Sequence, residues 1–385
     1  MFRRYRALPR EVFIATLATV INNLGNVTAP FLTLILSAKL GFSLPLTALV
    51  LSVKTLLQMG GVALGGLASD RFGRKTVIRF GGYLATLTYF LMALFATRPM
   101  VVLVLLGVNS IAQATIDPAL NALLMDIVPA EYQRDASAMK YFGLNLGFSI
   151  GPLLAAFLYK NSLPLLFLID GVTLGIAVFL NEHYIREAYD AKQIRKSGFN
   201  VRDFWDNKAL LSLSFAVVLV FIIFFQYNFG LPLALKDVLP QTGELLFGTL
   251  MSLNAVVVVL FTFLLNHAMQ RMKIKSVLML GMLFYAVGFG LYGFANGAML
   301  FLIGTFIWSL GEIMVSTGVN PLIYELVEPS KRGRASAIFP LIRRVAAVIS
   351  PLAGGWVLAS FGFVGLWFSC ALVMVLAIIV MKRGV

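Results

Sequence analysis

Apolar runs of about twenty residues or more recur from one end of this 385-residue sequence to the other, and no other feature constrains its fold so strongly. A hydrocarbon core of about 30 Å takes about 20 helical residues to cross, and a helix satisfies its own backbone polar groups where no water can. Twelve such spans can be read, near 11–37, 46–69, 76–97, 99–127, 136–159, 163–182, 208–235, 243–267, 276–296, 298–326, 335–360 and 362–381. With 59% of residues hydrophobic and 12% charged, the chain is too apolar for a soluble domain. The expected class is an all-α integral membrane protein.

The formal net charge of +14 would suggest nucleic acid as a partner for a soluble protein. Sorting the charge by loop gives a different meaning. One set of connections and ends holds 23 of the 31 Lys and Arg, from Arg3, Arg4 and Arg6 through Lys192 and Lys331 to Arg383. The opposite set holds 4, namely Lys39, Arg98, Lys160 and Lys236. Basic loops stay in the cytoplasm, so both termini and the 183–207 loop are expected there, in an inner (cytoplasmic) membrane, with no nucleic-acid partner. The first apolar run continues through Pro30 to Ile35 without a cleavage site and reads as a transmembrane helix rather than a leader. Cys370 is the single cysteine, and His183 and His267 stand far apart, so neither a disulfide framework nor a metal site is expected. No HExxH pattern or nucleophile with a base is present, which argues against an enzyme.

The polar stretch from Asn181 to Lys208 divides the spans six and six. Expected domains are 1–182, a linker over 183–207, and 208–385. Residues 117–156 align without a gap on 316–355, with nine of 40 identical and Asp126 opposite Glu325. Two parallel six-helix repeats of this kind carry a substrate site between them near the midplane.

The turn between spans 2 and 3 reads GGLASDRFGRK, five charges around glycines in a chain otherwise poor in charge. Gly66 is read as permitting close helix packing and Gly73 a tight reversal with positive φ, while Asp70 precedes Arg74 by four residues. Gly66, Asp70, Arg71, Gly73, Arg74 and Lys75 resemble the loop 2–3 signature G-x-L-a-D-r-x-G-r-k of the Major Facilitator Superfamily, with Ala68 where leucine is usual. The resemblance implies a twelve-helix fold of two pseudo-symmetric bundles, and a charged cytoplasmic latch completed by an acid ending helix 4, here Asp126. Span 5 carries Gly143, Gly147, Gly151 and Pro152, which resemble the pattern of the proton-coupled drug exporters in that superfamily. Small residues at this spacing allow close helix contact, and the proline would allow a bend between the halves. Those exporters often carry a basic residue on helix 4 where this chain has Leu106, so their proton relay does not transfer.

Ionisable groups inside spans are costly, and those retained line cavities or pair. They are Lys54, Asp117, Lys140, Asp170, Glu312, Arg343 and Arg344. Glu312, about 21 Å along span 10, is the first choice for a proton-binding carboxylate. Arg343 or Arg344 would pair with it and hold it charged until the structure rearranges. Asp117 is read either as a second proton site or as a structural pair with Lys140, its expected partner, and Lys140, Lys54, Arg343 and Arg344 are further proton-coupling candidates. Lys54 has no obvious acid except Asp170, to which no transport role is given. Asn22, Asn23, Asn26, Gln226, Tyr227, Asn228, Asn254 and Trp308 are substrate-cavity candidates in spans rich in Phe, Val and Leu, with interhelical hydrogen bonding the alternative for about half of them. The function expected is a monomeric secondary transporter, exporting small amphipathic compounds against protons by alternating access, with the proton gradient as energy source and no cofactor. A proton-coupled metabolite or lipid carrier is the alternative, and a non-transporting receptor a weaker one.

Overall fold

The computed structural model describes residues 8–186, 207–328 and 332–385, and the side chains of all of these except Ala130, Arg134 and 332–338. Arg3, Arg4, Arg6, Lys331 and most of the expected linker therefore lie outside the described residues. Within them the helices are α1 Arg10–Gly25, α2 Thr28–Leu34, α3 Leu44–Phe72, α4 Arg74–Leu94, α5 Pro99–Ala114, α6 Ile116–Ile127, α7 Gln133–Asn161 and α8 Leu163–Tyr184. They continue as α9 Lys208–Phe224, α10 Gly230–Val238, α11 Gly243–Ala268, α12 Ile274–Leu291, α13 Ala298–Leu326 and α14 Arg332–Gly384. No strand occurs among the described residues.

Eleven helical stretches among the described residues are long and apolar enough to cross a membrane. The last, Phe339–Gly384, has 46 residues, about 69 Å at 1.5 Å per residue and more than twice a hydrocarbon core. Gly362 interrupts it with φ +67° and ψ −171°, a conformation that only glycine adopts without strain.

Three other crossings are interrupted, and each break follows from a proline. Proline has no N–H for the carbonyl four residues before it, and its ring crowds that carbonyl. Pro30 thus ends α1 before Asn26, Pro118 separates α5 from α6 at Thr115, and Pro232 falls four residues after Asn228 in the turn between α9 and α10.

The chain forms two compact units. One comprises Met1–Phe42 and Val53–Arg195, the other Ser43–Ser52 and Lys196–Val385. The expected boundaries did not separate Ser43–Ser52 from the rest of its span. In the first unit α1 packs on α7 and α8, and α4 on α8. In the second, α12 packs on α13 and α9 on α14, and Ser52 near the start of α3 donates to the Val348 carbonyl at 2.7 Å.

Candidate functional site

In the first unit the charge knot forms a compact cluster. Gly73 makes the turn with φ +88°, which sets α4 running back from α3. Arg74, whose side chain is 14% exposed, lies 3.6 Å from Asp70 and 2.5 Å from Asp126 at the end of α6. Arg71 lies over the ring of Phe72, and Lys75 follows Arg74 in the first turn of α4. Gly66 has a different place from the one expected, because a Cβ there would meet open space. The neighbouring Gly65 is the packing glycine, its Cβ position 2.6 Å from Thr115 Cα at the break between α5 and α6. Partly exposed ion pairs contribute about 1 kcal/mol or less. In thermal melts of the purified protein, Arg74→Ala and Asp126→Asn are therefore each expected to cost about that much, and the double variant no more than Arg74→Ala alone.

The glycine stripe of α7 lies against α1 of the same unit. Cβ positions on Gly143, Gly147 and Gly151 come within 3.0 Å of the Thr16, Val20 and Asn23 carbonyls respectively. The close helix contact expected of the three glycines is formed, and it is made within one unit. Asp117 and Lys140 do meet, with Lys140 Nζ 3.6 Å from Asp117 and 2.7 Å from Asn121 Oδ1. The Asp117 side chain is exposed, so the pair is an open one.

Asp170 has a role that the sequence reading missed. Its carboxylate, 3% exposed, accepts the backbone N–H groups of Val27 and Thr28, both at 3.0 Å, at the broken end of α2. Thr173, one turn further along α8, fits beside Gly25 where no side chain could stand. The pairing considered between Asp170 and Lys54 is absent. Lys54 is half-buried with no ion pair among the described residues. Asn22, Asn23 and Asn26 are half-buried near this break, and Asn23 Nδ2 donates to the Thr19 carbonyl.

The second unit gathers the other candidates. Glu312 lies midway along α13, and its Oε2 accepts from Asn254 Nδ2 of α11 at 2.7 Å. The same amide nitrogen donates to Ser309 Oγ at 3.0 Å. The expected pairing of Glu312 with Arg343 or Arg344 is not formed. Arg343 stays near enough to act on Glu312 through charge, but its guanidinium lies over Phe221, Phe224 and Phe225, 5.2 to 5.8 Å from their centroids. A planar, weakly hydrated cation stacks on ring faces readily, which competes with the ion pair. Arg344 makes no ion pair among the described residues.

Tyr227 and Tyr285 both lie within reach of the Glu312 charge, and both rings stack against Trp308. Trp308 is not a cavity residue as expected. It is 1% exposed, stacked on Phe289, and its indole N–H donates to Tyr292 Oη at 2.7 Å. Gln226, expected to contact substrate, is 2% exposed and donates to the Ser350 carbonyl and hydroxyl on α14. Half-buried Tyr227 and Asn254 remain beside the carboxylate, while Asn228 sits in the turn before α10. What the unit offers chemically is a carboxylate held by a neutral amide, next to aromatic faces and a stacked guanidinium.

The profile of the Major Facilitator Superfamily matches residues 12–241 and 234–383. A Na(+), Li(+), K(+)/H(+) antiporter of Planococcus maritimus is 26% identical, over 88% of this chain and 90% of its own length. The multidrug resistance protein MdtH of Aeromonas hydrophila is 24% identical over 80% of this chain and 77% of its own. Among solved structures, the nucleoside transporter NupG superposes with a TM-score of 0.78 at 16% identity, covering 97% of this chain and 98% of NupG, a likeness of fold. With the profile spanning nearly every helix described above, the chain belongs to the Major Facilitator Superfamily, a transporter and not an enzyme.

Proposed function

We propose that this transporter exports small amphipathic compounds in exchange for protons. The reading takes the apolar stretch broken at Gly362 as two crossings, giving twelve helices in two six-helix bundles that alternate access, with both termini in the cytoplasm and the monomer as the working unit. The observation that carries it is Glu312, a carboxylate midway along α13 whose described partner is a neutral amide and which has no ion pair among the described residues. A charged group so placed is costly in a membrane and becomes cheap to bury on protonation, so its charge can decide which access state is favoured. The relatives described as an antiporter and as a multidrug resistance protein support the same class.

The test is uptake of dyes and drugs of different charge into everted vesicles under an imposed pH gradient. Uptake of at least one amphipathic compound, lost when an ionophore collapses the gradient, is the expected result. Uptake indifferent to the gradient would remove proton coupling. A second reading, exchange of a monovalent metal cation for protons, is favoured by the antiporter relative. Na(+), Li(+) or K(+) added to the same vesicles would then dissipate the gradient with no organic substrate present.

A further inference from the structure

The polar contacts of Glu312 run in a single direction. Ser309, nearly one turn before it on α13 and fully buried, gives its hydroxyl hydrogen to the Thr305 carbonyl at 2.6 Å. The Ser309 oxygen is therefore left to accept. Asn254 Nδ2 reaches that oxygen at 3.0 Å and Glu312 Oε2 at 2.7 Å, which engages both hydrogens of the amide. Turning the amide over would set its carbonyl oxygen against the Ser309 oxygen, two acceptors with no hydrogen between them. The orientation is thus fixed from the Thr305 carbonyl outward, and it presents Glu312 with a donor rather than an acceptor. A carboxylate answers such a donor with a charge-assisted bond roughly twice as strong as a neutral carboxyl can make.

Resting on the reading of Glu312 as the coupling carboxylate, we propose that Asn254 is a positioning residue that keeps Glu312 charged between transport events, with Ser309 fixing the amide. Three other groups face Glu312 from the elements around it: Tyr227 from the turn after α9, Tyr285 from α12 and Arg343 from α14. None of them makes a hydrogen bond or ion pair to the carboxylate among the described residues, so Asn254 is the direct contact that discriminates the two forms. Protonation weakens that contact and frees the amide for a neighbouring acceptor or for substrate. Proton arrival would in this way be felt on α11 as well as α13.

The test is infrared spectroscopy of the purified full-length protein, following across neutral pH the carboxylic C=O stretching band that Glu312→Gln removes. At a given pH, Asn254→Leu is expected to raise the ratio of protonated to charged Glu312 about tenfold, the equivalent of one pKa unit. Ser309→Ala should raise it by a smaller factor, because the amide regains both orientations, and this variant carries the test if Asn254→Leu does not fold. An unchanged ratio in the variants overturns the proposal. So does the absence of any Glu312 band in the wild type and variants alike, since Glu312 would then stay charged without help from Asn254. A shifted ratio alongside gradient-driven flux indifferent to Glu312→Gln upholds the positioning role and overturns the coupling reading.

Discussion

Glu312→Gln is expected to leave the protein folded while reducing flux driven by a pH gradient at least about a hundredfold. Glutamine has the same reach, and its Oε1 can still accept from Asn254 Nδ2, so the contact that ties α11 to α13 survives in neutral form. What is lost is the ability to take up and give back a proton. A barrier change of about 2.7 kcal/mol corresponds to a hundredfold in rate, comparable with the insertion cost of about 2.5–3.5 kcal/mol for one charged side chain near the bilayer centre. Downhill exchange of substrate with no gradient should persist, because a permanently neutral side chain removes the proton requirement. The comparison is Asp117→Asn. Lys140 keeps its 2.7 Å bond to Asn121 in that variant, and the open pair it loses should change gradient-driven flux less than tenfold. Equal losses in the two variants would move the coupling role away from Glu312, and an undiminished Glu312→Gln would remove it.

Much of this was legible in the chain. Hydropathy marks the crossings because lipid leaves a spanning segment few alternatives to a helix, and the charge knot marks Arg74 and Asp126 as neighbours because its spacing resembles a known latch. Asp117 and Lys140 were paired from their positions in consecutive spans. Rotational facing was not legible. Trp308 and Gln226 looked like cavity residues from their chemistry, but a tryptophan and a glutamine within apolar helices serve equally well as interhelical bonds, to Tyr292 and Ser350 here. The Arg343 contact with three phenylalanines was hidden for a related reason. A charge count pairs opposite signs and does not register ring faces as competitors. Gly65 and Gly66 are adjacent in sequence, and only the crossing angle of α3 over Thr115 decides which of them is needed.

The breaks could have been found, since Asn26-x-x-x-Pro30 and Asn228-x-x-x-Pro232 occur at matching places in the first crossing of each half. Both put an asparagine carbonyl where proline withholds its donor, and both leave N–H groups beyond the break without helical partners. Reading those two patterns together would have raised the question of which side chain satisfies the freed amides. In the first unit the answer is Asp170.

Asp170→Leu should accordingly be among the most damaging single substitutions in the first unit. Leucine brings apolar bulk but no acceptor to the start of α2. The Thr28 N–H is then left with no other acceptor among the described residues, and the Val27 N–H keeps only the carbonyl of Gly25, two residues back. Each buried donor left unmatched costs about 1–3 kcal/mol, so the loss is about 1–6 kcal/mol against a typical total stability of about 5–15 kcal/mol. Asp170→Asn keeps one acceptor oxygen and turns a donor toward the second amide, so it should fall between leucine and the wild type. Melting of the detergent-solubilised protein, followed by gel filtration of the heated samples, checks the order. If the leucine variant melts with the wild type, the carboxylate does not hold the broken helix. If the asparagine variant is as poor as leucine, the negative charge on the helix end matters more than the number of acceptors. The same break carries Asn26 and lies next to Gly25, against which Thr173 packs, so loosening it would reposition the only asparagines of the first crossing. A partly stable Asp170→Asn protein with altered substrate preference would therefore show that the carboxylate on α8 sets the shape of the break between α1 and α2.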